Sequence, residues 1–353
     1  MRTVIVRPAA ASLAALLGGA LAAPAQEPPR PIVIAHRGAS GYLPEHTLAA
    51  YELAVAQGAD VIEPDLVATK DRVLIVRHEV DITDTTDVAL RPEFAGRKTT
   101  KTIDGVSQSG WFADDLTLAE IKTLRAVQRL DFRPKQFDRL YDVPTFAEVL
   151  ALAQRLGERS GRTIGVYPET KHPTYHARQG LGLEGPLVAA LAKAGWNRRD
   201  APVFIQSFET ENLRALRRVT PVRLVLLVED GDGARLTAAA LADIATYADG
   251  IAPAKRHLVT SQAGPATDLI ARAHAARLFV HTWTMRNERQ FLLDAYGGNP
   301  IAEYLQFFCL GVDGVFSDFP DTAHTARELF RLTPSACGGG SPPQTTRSRS
   351  GGW

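Results

Sequence analysis

Ionisable side chains stand where three short apolar runs of the sequence end. The first run is followed by His36 and Arg37, the second ends at Glu63 and Asp65, and the third leads to His78. Histidine titrates near neutrality and can move protons, whereas two neighbouring carboxylates repel each other unless a cation lies between them. The residue types therefore predict proton transfer beside a metal ion.

The carboxylates have the spacing of a metal site. Glu63 and Asp65 are two residues apart, so on a strand both side chains point to the same face. Pro64 between them has no N–H group, which places the pair at the end of a strand. Glu169 follows the next apolar run along the chain. Three oxygen ligands without a cysteine suit Ca²⁺ or Mg²⁺ better than Zn²⁺.

An alternative interpretation pairs the same acids with cations in a salt-bridge network. Arg37, Arg77 and Lys171 are the available partners. We favour the metal because the acids fall at equivalent strand ends. Arg37 and Lys171 then supply fixed positive charge for an anionic substrate, and one histidine can accept a proton while the other donates. The set predicts phosphoryl chemistry.

The remaining histidines and several aspartates have no comparable partners nearby in the sequence. We expect surface or core roles for His172, His176, His257, His274, His281 and His324, and turn roles for Asp81, Asp84 and Asp87.

Strand and helix patterns alternate along most of the chain. This alternation predicts a (β/α)8 TIM barrel of the α/β class with the ionisable groups on one rim. Counting the apolar runs, with residues 73–77 as the third, gives one strand too many, and the short run around Ile251 is the one we discount. Residues 79–141 break the alternation and are expected to form a small, mostly helical or irregular insertion after the third strand, covering the barrel mouth.

The bulk composition fits one large domain and excludes some partners. The chain has 353 residues, 45% of them hydrophobic and 22% charged, which is typical of a globular protein with a substantial core. The formal net charge of +1 and the absence of a basic stripe argue against nucleic acid as a partner.

Residues 1–25 have the pattern of a secretory signal peptide. Arg2 and Arg7 form a basic start, a small apolar run follows, and Ala23-Pro24-Ala25 fits a cleavage site. The apolar run is shorter than the roughly 20 residues that a membrane helix needs. We therefore expect a periplasmic or secreted protein without a stable membrane span.

The mature chain is expected to be one catalytic domain, residues 26–333, followed by a disordered tail, residues 334–353, rich in Gly, Ser, Pro and Arg. The chain has two cysteines, Cys309 and Cys337. Export permits a disulfide between them, but the sequence alone leaves the pairing open.

Several short motifs occur together and in order over nearly the whole mature chain. They are His36-Arg37-Gly38, Pro44-Glu45-x-Thr47, Glu63-x-Asp65, the His78 strand, Thr86-Asp87-Val88, Tyr167-Pro168-Glu169-x-Lys171, Gln206-Ser207-Phe208, Trp283-Thr284 and Asp313-Gly314 with Ser317-Asp318-x-Pro320. With these motifs the chain resembles the glycerophosphodiester phosphodiesterases of the exported, periplasmic bacterial type.

The resemblance implies an activity and a set of roles. Family members hydrolyse glycerophosphodiesters, such as glycerophosphocholine or glycerophosphoethanolamine, to an alcohol and sn-glycerol 3-phosphate. The implied roles are a divalent cation, Ca²⁺ before Mg²⁺, on Glu63, Asp65 and Glu169; acid/base catalysis by His36 and His78; phosphate contacts from Arg37 and Lys171; and substrate contacts from Gln206, Phe208 and Trp283. Whether water attacks directly or the glycerol 2-hydroxyl first forms a cyclic phosphate stays open.

The sequence departs from the family pattern at two positions. His46 stands where the family usually has Asn, and Glu79 follows the second histidine where Asp is common. Asn accepts backbone conformations that other residues disfavour, so an altered loop behind His36 is expected. Neither residue is expected to touch a predicted metal ligand, and the departures bear on substrate preference.

Two other functions fit parts of the sequence. A phospholipase D-like or sphingomyelinase-like barrel acting on intact lipids would need an exposed apolar surface at the mouth, for which Trp111-Phe112 is the only sign. A non-catalytic phosphodiester-binding protein would lack a histidine or a metal carboxylate, and none is missing here. The oligomeric state stays open between monomer and homodimer.

Overall fold

The structure, a computed structural model, describes residues 30–259 and 266–333 together with Cys337. The predicted signal peptide lies outside the described residues, as does the predicted tail apart from Cys337. Among the described residues, no helix combines the length and apolar character needed to cross a membrane.

Eight parallel strands close into a barrel, two of them interrupted in the middle. The strands are β1 (Ile32–His36), β2 (Val61–Glu63), β3 (Asp65–Ala68), β4 (Leu74–Val76), β5 (Thr99–Ile103), β6 (Val106–Gly110), β7 (Gly165–Val166), β8 (Glu169–Thr170), β9 (Phe204–Ser207), β10 (Arg223–Val228), β11 (Gly250–Pro253), β12 (Phe279–Met285) and β13 (Gly314–Ser317). Pro64 splits one barrel strand into β2 and β3, and residues 167–168 split its neighbour into β7 and β8. The barrel order runs from β1 through these split strands to β9–β13, and β13 pairs again with β1. The predicted TIM barrel is confirmed.

Helices follow the barrel strands and cover their outer face. The helices are α1 (Leu48–Ala56), α2 (Leu118–Ile121), α3 (Phe146–Ser160), α4 (Pro173–Arg178), α5 (Glu184–Lys193), α6 (Thr210–Arg217), α7 (Ala238–Ile244), α8 (Leu269–Ala275), α9 (Pro300–Leu310) and α10 (Pro320–Leu332). Their apolar faces bury a continuous core against the strands. A second apolar cluster, which includes Tyr167, Phe204 and Phe316, fills the barrel interior.

Local sequence signals fix the ends of the longest helix, α3. The Thr145 side chain accepts from the Glu148 backbone N–H, and the Glu148 side chain accepts in return from the Thr145 N–H. At the other end Gly161 takes a left-handed φ of 65°, which glycine adopts without steric cost. A second capping box, between Thr117 and Glu120, begins α2.

The strand numbering predicted from sequence is wrong at two places. β4 pairs antiparallel with β3, so residues 73–77 belong to a hairpin and are not a third barrel strand. Only five residues separate Ala68 from Leu74, whereas a parallel crossover needs about a dozen or more. The discounted run around Ile251 is β11, a barrel strand hydrogen-bonded to both β10 and β12.

The insertion therefore leaves the barrel after its second strand and the β4 hairpin. It contains the antiparallel hairpin β5–β6, the short helix α2 and several 3₁₀ turns around an apolar cluster of its own. Trp111 and Phe112 are buried in that cluster, so they form no apolar surface for a lipid. Asp81 accepts from the Thr83 backbone N–H two residues on, in the turn role predicted for it. Asp87 instead accepts from the Arg125 backbone N–H, so it joins two distant segments of the insertion.

A disulfide joins Cys309 on α9 to Cys337. The structure thus answers the question of pairing that the sequence left open. The bond ties a residue beyond the last helix to the outer layer of the barrel, because α9 packs against α10 there.

Candidate active site

The loop that leaves β1 carries two site residues on a constrained backbone. His36 is the last residue of β1, and Arg37 follows with a left-handed φ of 61°, which costs a non-glycine residue about 1–3 kcal/mol. Gly38 also has a positive φ of 86°, and a Cβ atom there would lie 2.8 Å from Ala50. The Arg37 backbone N–H donates to Glu63 Oε2 at 2.8 Å. The loop geometry therefore links the first histidine to the first carboxylate.

The three predicted metal ligands converge where the two split barrel strands are interrupted: Glu63 ends β2, Asp65 begins β3 and Glu169 begins β8. Glu63, Asp65 and Glu169 are buried, and each offers an oxygen atom within 4.8 Å of the others. Gln206 Nε2 donates to Glu63 Oε1 at 3.0 Å. Asp65 Oδ1 is buried and accepts no hydrogen bond from the described residues. An orphaned carboxylate oxygen at the centre of three hard ligands fits a divalent cation.

The protonation behaviour of these acids also fits a cation site. Burial raises the pKa of Glu63 well above its usual value, and the negative charges of Asp65 and Glu169 add to the shift. Burial raises the pKa of Glu169 to about 8, with Lys171 opposing and Asp65 reinforcing it. Without a positive ion the site holds protons that a divalent cation would displace.

His36 is oriented by a buried carboxylate at the end of β13. Its Nδ1 lies 2.6 Å from Asp318 Oδ1, and Asp318 Oδ2 accepts from Arg133 at 2.6 Å and from Arg286 at 2.9 Å. The carboxylate holds the proton on Nδ1, which leaves the Nε2 lone pair available. Burial and the nearby Arg37 charge lower the pKa of His36 to about 4. We name the chain from Arg133 through Asp318 to His36 the inner arm.

His78 is oriented in the same sense by a more exposed carboxylate. Its Nδ1 lies 2.6 Å from Glu79 Oε1, and its Nε2 lies 3.3 Å from Lys171 Nζ. Burial, followed by the charges of Arg37 and Lys171, lowers the pKa of His78 to about 3. Both histidines are therefore neutral at pH 7 with the proton on Nδ1, and the Nε2 lone pair of His78 accepts from the Lys171 ammonium.

Two cations lie between the histidines and the carboxylates. Arg37 pairs with Glu45 at 3.2 Å and has its Nε 3.5 Å from Asp65 Oδ2. Lys171 Nζ lies 3.0 Å from Glu169 Oε1. Salt bridges from the alternative interpretation thus exist, but they leave Asp65 Oδ1 unpaired. Arg77 takes no part in them, because its described hydrogen bond goes to the Glu45 backbone carbonyl.

A cavity of about 410 Å³ opens over these groups. Its wall includes every predicted site residue except Asp65, which lies within 4.8 Å of Glu63 and Glu169. Phe208 and Trp283 stand edge to face with ring centres 5.8 Å apart, and the Trp283 Nε1–H donates to the Ala252 carbonyl. Lys171 Nζ lies 5.6 Å from the Phe208 ring centre. Charged groups and an aromatic wall thus face one small-molecule cavity.

The expectation about His46 is wrong. Its Nε2 lies 2.9 Å from Asp65 Oδ2, so the residue does touch a predicted metal ligand. Its Nδ1 lies 2.8 Å from the Tyr51 hydroxyl, and its backbone has a left-handed φ of 60°. The loop keeps the conformation that Asn favours, and the imidazole supplies a hydrogen bond that fixes Asp65.

Other functional contacts were absent from the sequence prediction. Asp318 appeared there only within a motif, Arg133 did not appear, and His172 was assigned a surface or core role. His172 lines the cavity and contacts Glu79 at 2.8 Å. Gln206 lines the cavity too, but its described side-chain bond goes to Glu63, so its substrate role stays a prediction.

Comparison with known proteins gives one consistent result. The model of the glycerophosphoryl diester phosphodiesterase family matches residues 36–322. A glycerophosphodiester phosphodiesterase of Arabidopsis thaliana is 38% identical over 331 residues, which cover 86% of this chain and 88% of that protein.

Solved structures share the fold. A glycerophosphodiester phosphodiesterase from Agrobacterium tumefaciens matches with a TM-score of 0.55 at 23% identity, over 84% of this chain and 99% of that chain. A phosphodiesterase from Oleispira antarctica, solved in complex with its product sn-glycerol 3-phosphate, matches with a TM-score of 0.56 at 21% identity, over 84% of this chain and 97% of that chain.

Proposed function

The chain belongs to the glycerophosphoryl diester phosphodiesterase family, and from this premise we propose that it hydrolyses glycerophosphodiesters to an alcohol and sn-glycerol 3-phosphate. Glycerophosphocholine and glycerophosphoethanolamine are the substrates we expect. The product named in the Oleispira antarctica complex supports the same reaction.

One observation carries the proposal. His36 and His78 face the same cavity as the carboxylate cluster, and each has its Nδ1 bound to a carboxylate at 2.6 Å. This arrangement places a lone pair, and not an N–H, on the Nε2 of each residue, as a proton acceptor requires. A protein that only binds phosphodiesters would have no need for two histidines held in this tautomer.

We propose that the histidines act as a general acid and a general base. One Nε2 accepts the proton of the attacking oxygen, which forms the new P–O bond. The other, once protonated, gives its proton to the alkoxide that leaves as the old P–O bond breaks. The negative charge of the bound diester opposes the charges of Arg37 and Lys171, which raises the histidine pKa values and lets one residue carry a proton.

Glu63, Asp65 and Glu169 would hold a divalent cation, for which we propose Ca²⁺ before Mg²⁺. When bound, such an ion offsets negative charge on the phosphate oxygens. Arg37 and Lys171 contribute the same kind of stabilisation from the side chains. Phe208 and Trp283 would contact the glycerol or head group, and Gln206 and His46 hold the carboxylates in place.

We also propose that the protein is exported. The basic start, small apolar run and cleavage pattern in residues 1–25 support a signal peptide and a periplasmic or secreted location. The disulfide between Cys309 and Cys337 fits an oxidising compartment. In that location the enzyme would act on water-soluble head-group diesters as a monomer or homodimer.

Release of sn-glycerol 3-phosphate from glycerophosphocholine tests the function. The purified mature chain is assayed with chelator and then with added Ca²⁺, Mg²⁺ or Zn²⁺. We expect activity to disappear with chelator and to return with Ca²⁺ or Mg²⁺. A folded protein that releases no product with any of these ions contradicts the proposal, and intact lipids then become the first substrates to test.

Alanine variants assign the histidines. His36→Ala and His78→Ala should each lose at least about 10³-fold in kcat while keeping the fold. His324→Ala is the matched control, because His324 lies on α10 and does not line the cavity. Full activity in either catalytic variant contradicts the role given to that residue.

A further inference from the structure

A chain of hydrogen bonds runs from the insertion to the second histidine. Asp104 Oδ2 lies 2.6 Å from His172 Nδ1, and His172 Nε2 lies 2.8 Å from Glu79 Oε2. The other oxygen of Glu79 lies 2.6 Å from His78 Nδ1. The β5–β6 hairpin is thus connected to His78 through two side chains. We name the hydrogen-bonded series from Asp104 through His172 and Glu79 to His78 the outer arm.

The contacts of His172 favour its positively charged form. Both of its ring nitrogens face carboxylate oxygens, and only the imidazolium form donates from both. Burial disfavours the charge, but the hydrogen bonds to Glu79 and Asp104 outweigh burial and raise the pKa of His172. Lys171 is the neighbouring cation that opposes the shift. A neutral ring would direct a lone pair at one of the two carboxylates.

Both residues of the His172–Asp104 contact have a left-handed backbone conformation. His172 has a left-handed φ of 46°, which is costly for a residue with a Cβ atom, and Pro173 begins α4 directly after it. Asp104 has a φ of 47° and Gly105 a φ of 82°, as the tight turn of a hairpin requires. The cavity wall includes Asp104 and His172, so the turn closes one side of the cavity.

We propose that His172 is a positioning residue: it clamps Glu79 to Asp104, and thereby fixes His78 and docks the β5–β6 hairpin at the cavity. This inference rests on the proposed function for its catalytic part. The clamp itself is a property of the fold and can be measured without turnover. Because outer contacts of catalytic residues act through orientation, we expect an effect on kcat rather than on substrate binding.

Two single variants, the double variant that combines them and two readouts test the clamp, with a fourth variant as control. His172→Gln can donate strongly to only one carboxylate, and Asp104→Asn removes the charge while keeping a residue that tolerates a positive φ. We expect kcat for glycerophosphocholine to fall about tenfold in His172→Gln with KM within about twofold. The double variant should lose no more than His172→Gln alone, because both changes break the same chain. Ser107→Ala, an exposed change on the same hairpin, is the matched control.

Hydrogen exchange of residues 99–110 gives the readout independent of activity. We expect faster exchange in His172→Gln and in Asp104→Asn than in wild type, and no change in Ser107→Ala. Unchanged exchange in both variants, or a kcat of His172→Gln within twofold of wild type, overturns the inference. A wild-type protein without activity refutes the proposed hydrolase instead, and the exchange data still decide whether the clamp exists.

Discussion

The inner arm orients His36 and the outer arm orients His78, and the two arms differ in solvent exposure and in the partners of their carboxylates. In the inner arm Asp318 is 2% exposed and accepts from two arginines, one of which, Arg133, comes from the insertion. In the outer arm the Glu79 side chain is 36% exposed and is held by His172, whose other partner Asp104 is 53% exposed. Both arms place a carboxylate oxygen 2.6 Å from Nδ1 of the proposed catalytic histidine.

The difference indicates which arm is rigid and which can adjust. A buried carboxylate between fixed charges cannot move without leaving a charge unpaired, which is costly in the interior. Exposed ion pairs contribute little stability and exchange easily with water. The insertion thus contributes to both arms, through buried Arg133 in one and through the hairpin turn in the other. A third contact, from Arg129 to Glu45, supports Arg37.

The largest expected effect is that of Asp318→Asn. The amide removes the charge that fixes the His36 tautomer and leaves two arginines short of a partner. We expect kcat to fall about 10³-fold or more and the free energy of unfolding to fall by about 3 kcal/mol, measured by steady-state kinetics and chemical denaturation.

Asp313→Asn is the control for this change. Asp313 lies before β13 at the opposite end of the same strand and also contacts a histidine, His274, at 2.8 Å. The kcat of the Asp313→Asn variant should stay within about twofold of wild type. A comparable loss of kcat in both variants would mean that the effect of Asp318→Asn reports general damage to the barrel.

Glu79→Gln should have a smaller effect than Asp318→Asn. We expect a roughly tenfold lower kcat and a free energy of unfolding within about 1 kcal/mol of wild type, because the Glu79 side chain is more than one-third exposed. Steady-state kinetics measures the change in kcat, and chemical denaturation measures the change in the free energy of unfolding. Losses as large as those of Asp318→Asn would remove the distinction between the arms.

Acid should destabilise the protein through the inner arm. His36 has a pKa of about 4 in the fold and 6.5 when unfolded, so the unfolded chain binds more protons between these values. The free energy of unfolding should therefore fall as the pH decreases from 7 to 5, by on the order of 2 kcal/mol for this residue. His36→Gln should show a shallower dependence in denaturation experiments, and an unchanged slope would contradict the assigned burial.

In the absence of metal, the carboxylate cluster should change the stability with pH in the direction opposite to that expected for His36. The pKa of Glu169 is raised from 4.5 to about 8, so between these values the folded form binds more protons than the unfolded chain, and stability falls as the pH rises towards 8. Ca²⁺ should therefore raise the melting temperature more at pH 8 than at pH 6, relative to chelated protein. Equal shifts at both pH values would argue against proton displacement by the ion.

The clustering of the three carboxylates could be predicted because their positions follow from strand ends. Glu63, Asp65 and Glu169 end or begin short apolar runs, and parallel strands bring such ends to one rim. Residues 73–77 were wrongly assigned as the third barrel strand, although the five residues after Ala68 are too few for a parallel crossover. Ile251 was discounted for the length of its run, although barrel strands of four residues are sufficient when both neighbours pair with them.

The two arms could not be predicted from local sequence. Asp318 reaches His36 across 282 positions, and Arg133 reaches Asp318 across 185. His172 resembled any surface histidine because its partners lie 68 and 93 residues away, in the insertion and the β4 hairpin. Such contacts depend on how the insertion folds back over the barrel, which no periodicity in the sequence encodes.

The protonation states of three histidines test the account most directly. Long-range ¹H–¹⁵N correlation spectra of histidine-labelled protein at pH 7 distinguish the two neutral tautomers and the imidazolium. We predict that His36 and His78 are neutral with the proton on Nδ1, and that His172 is protonated on both nitrogens. A proton on Nε2 of His36 or His78, or a neutral His172, would contradict the arrangement of the two arms.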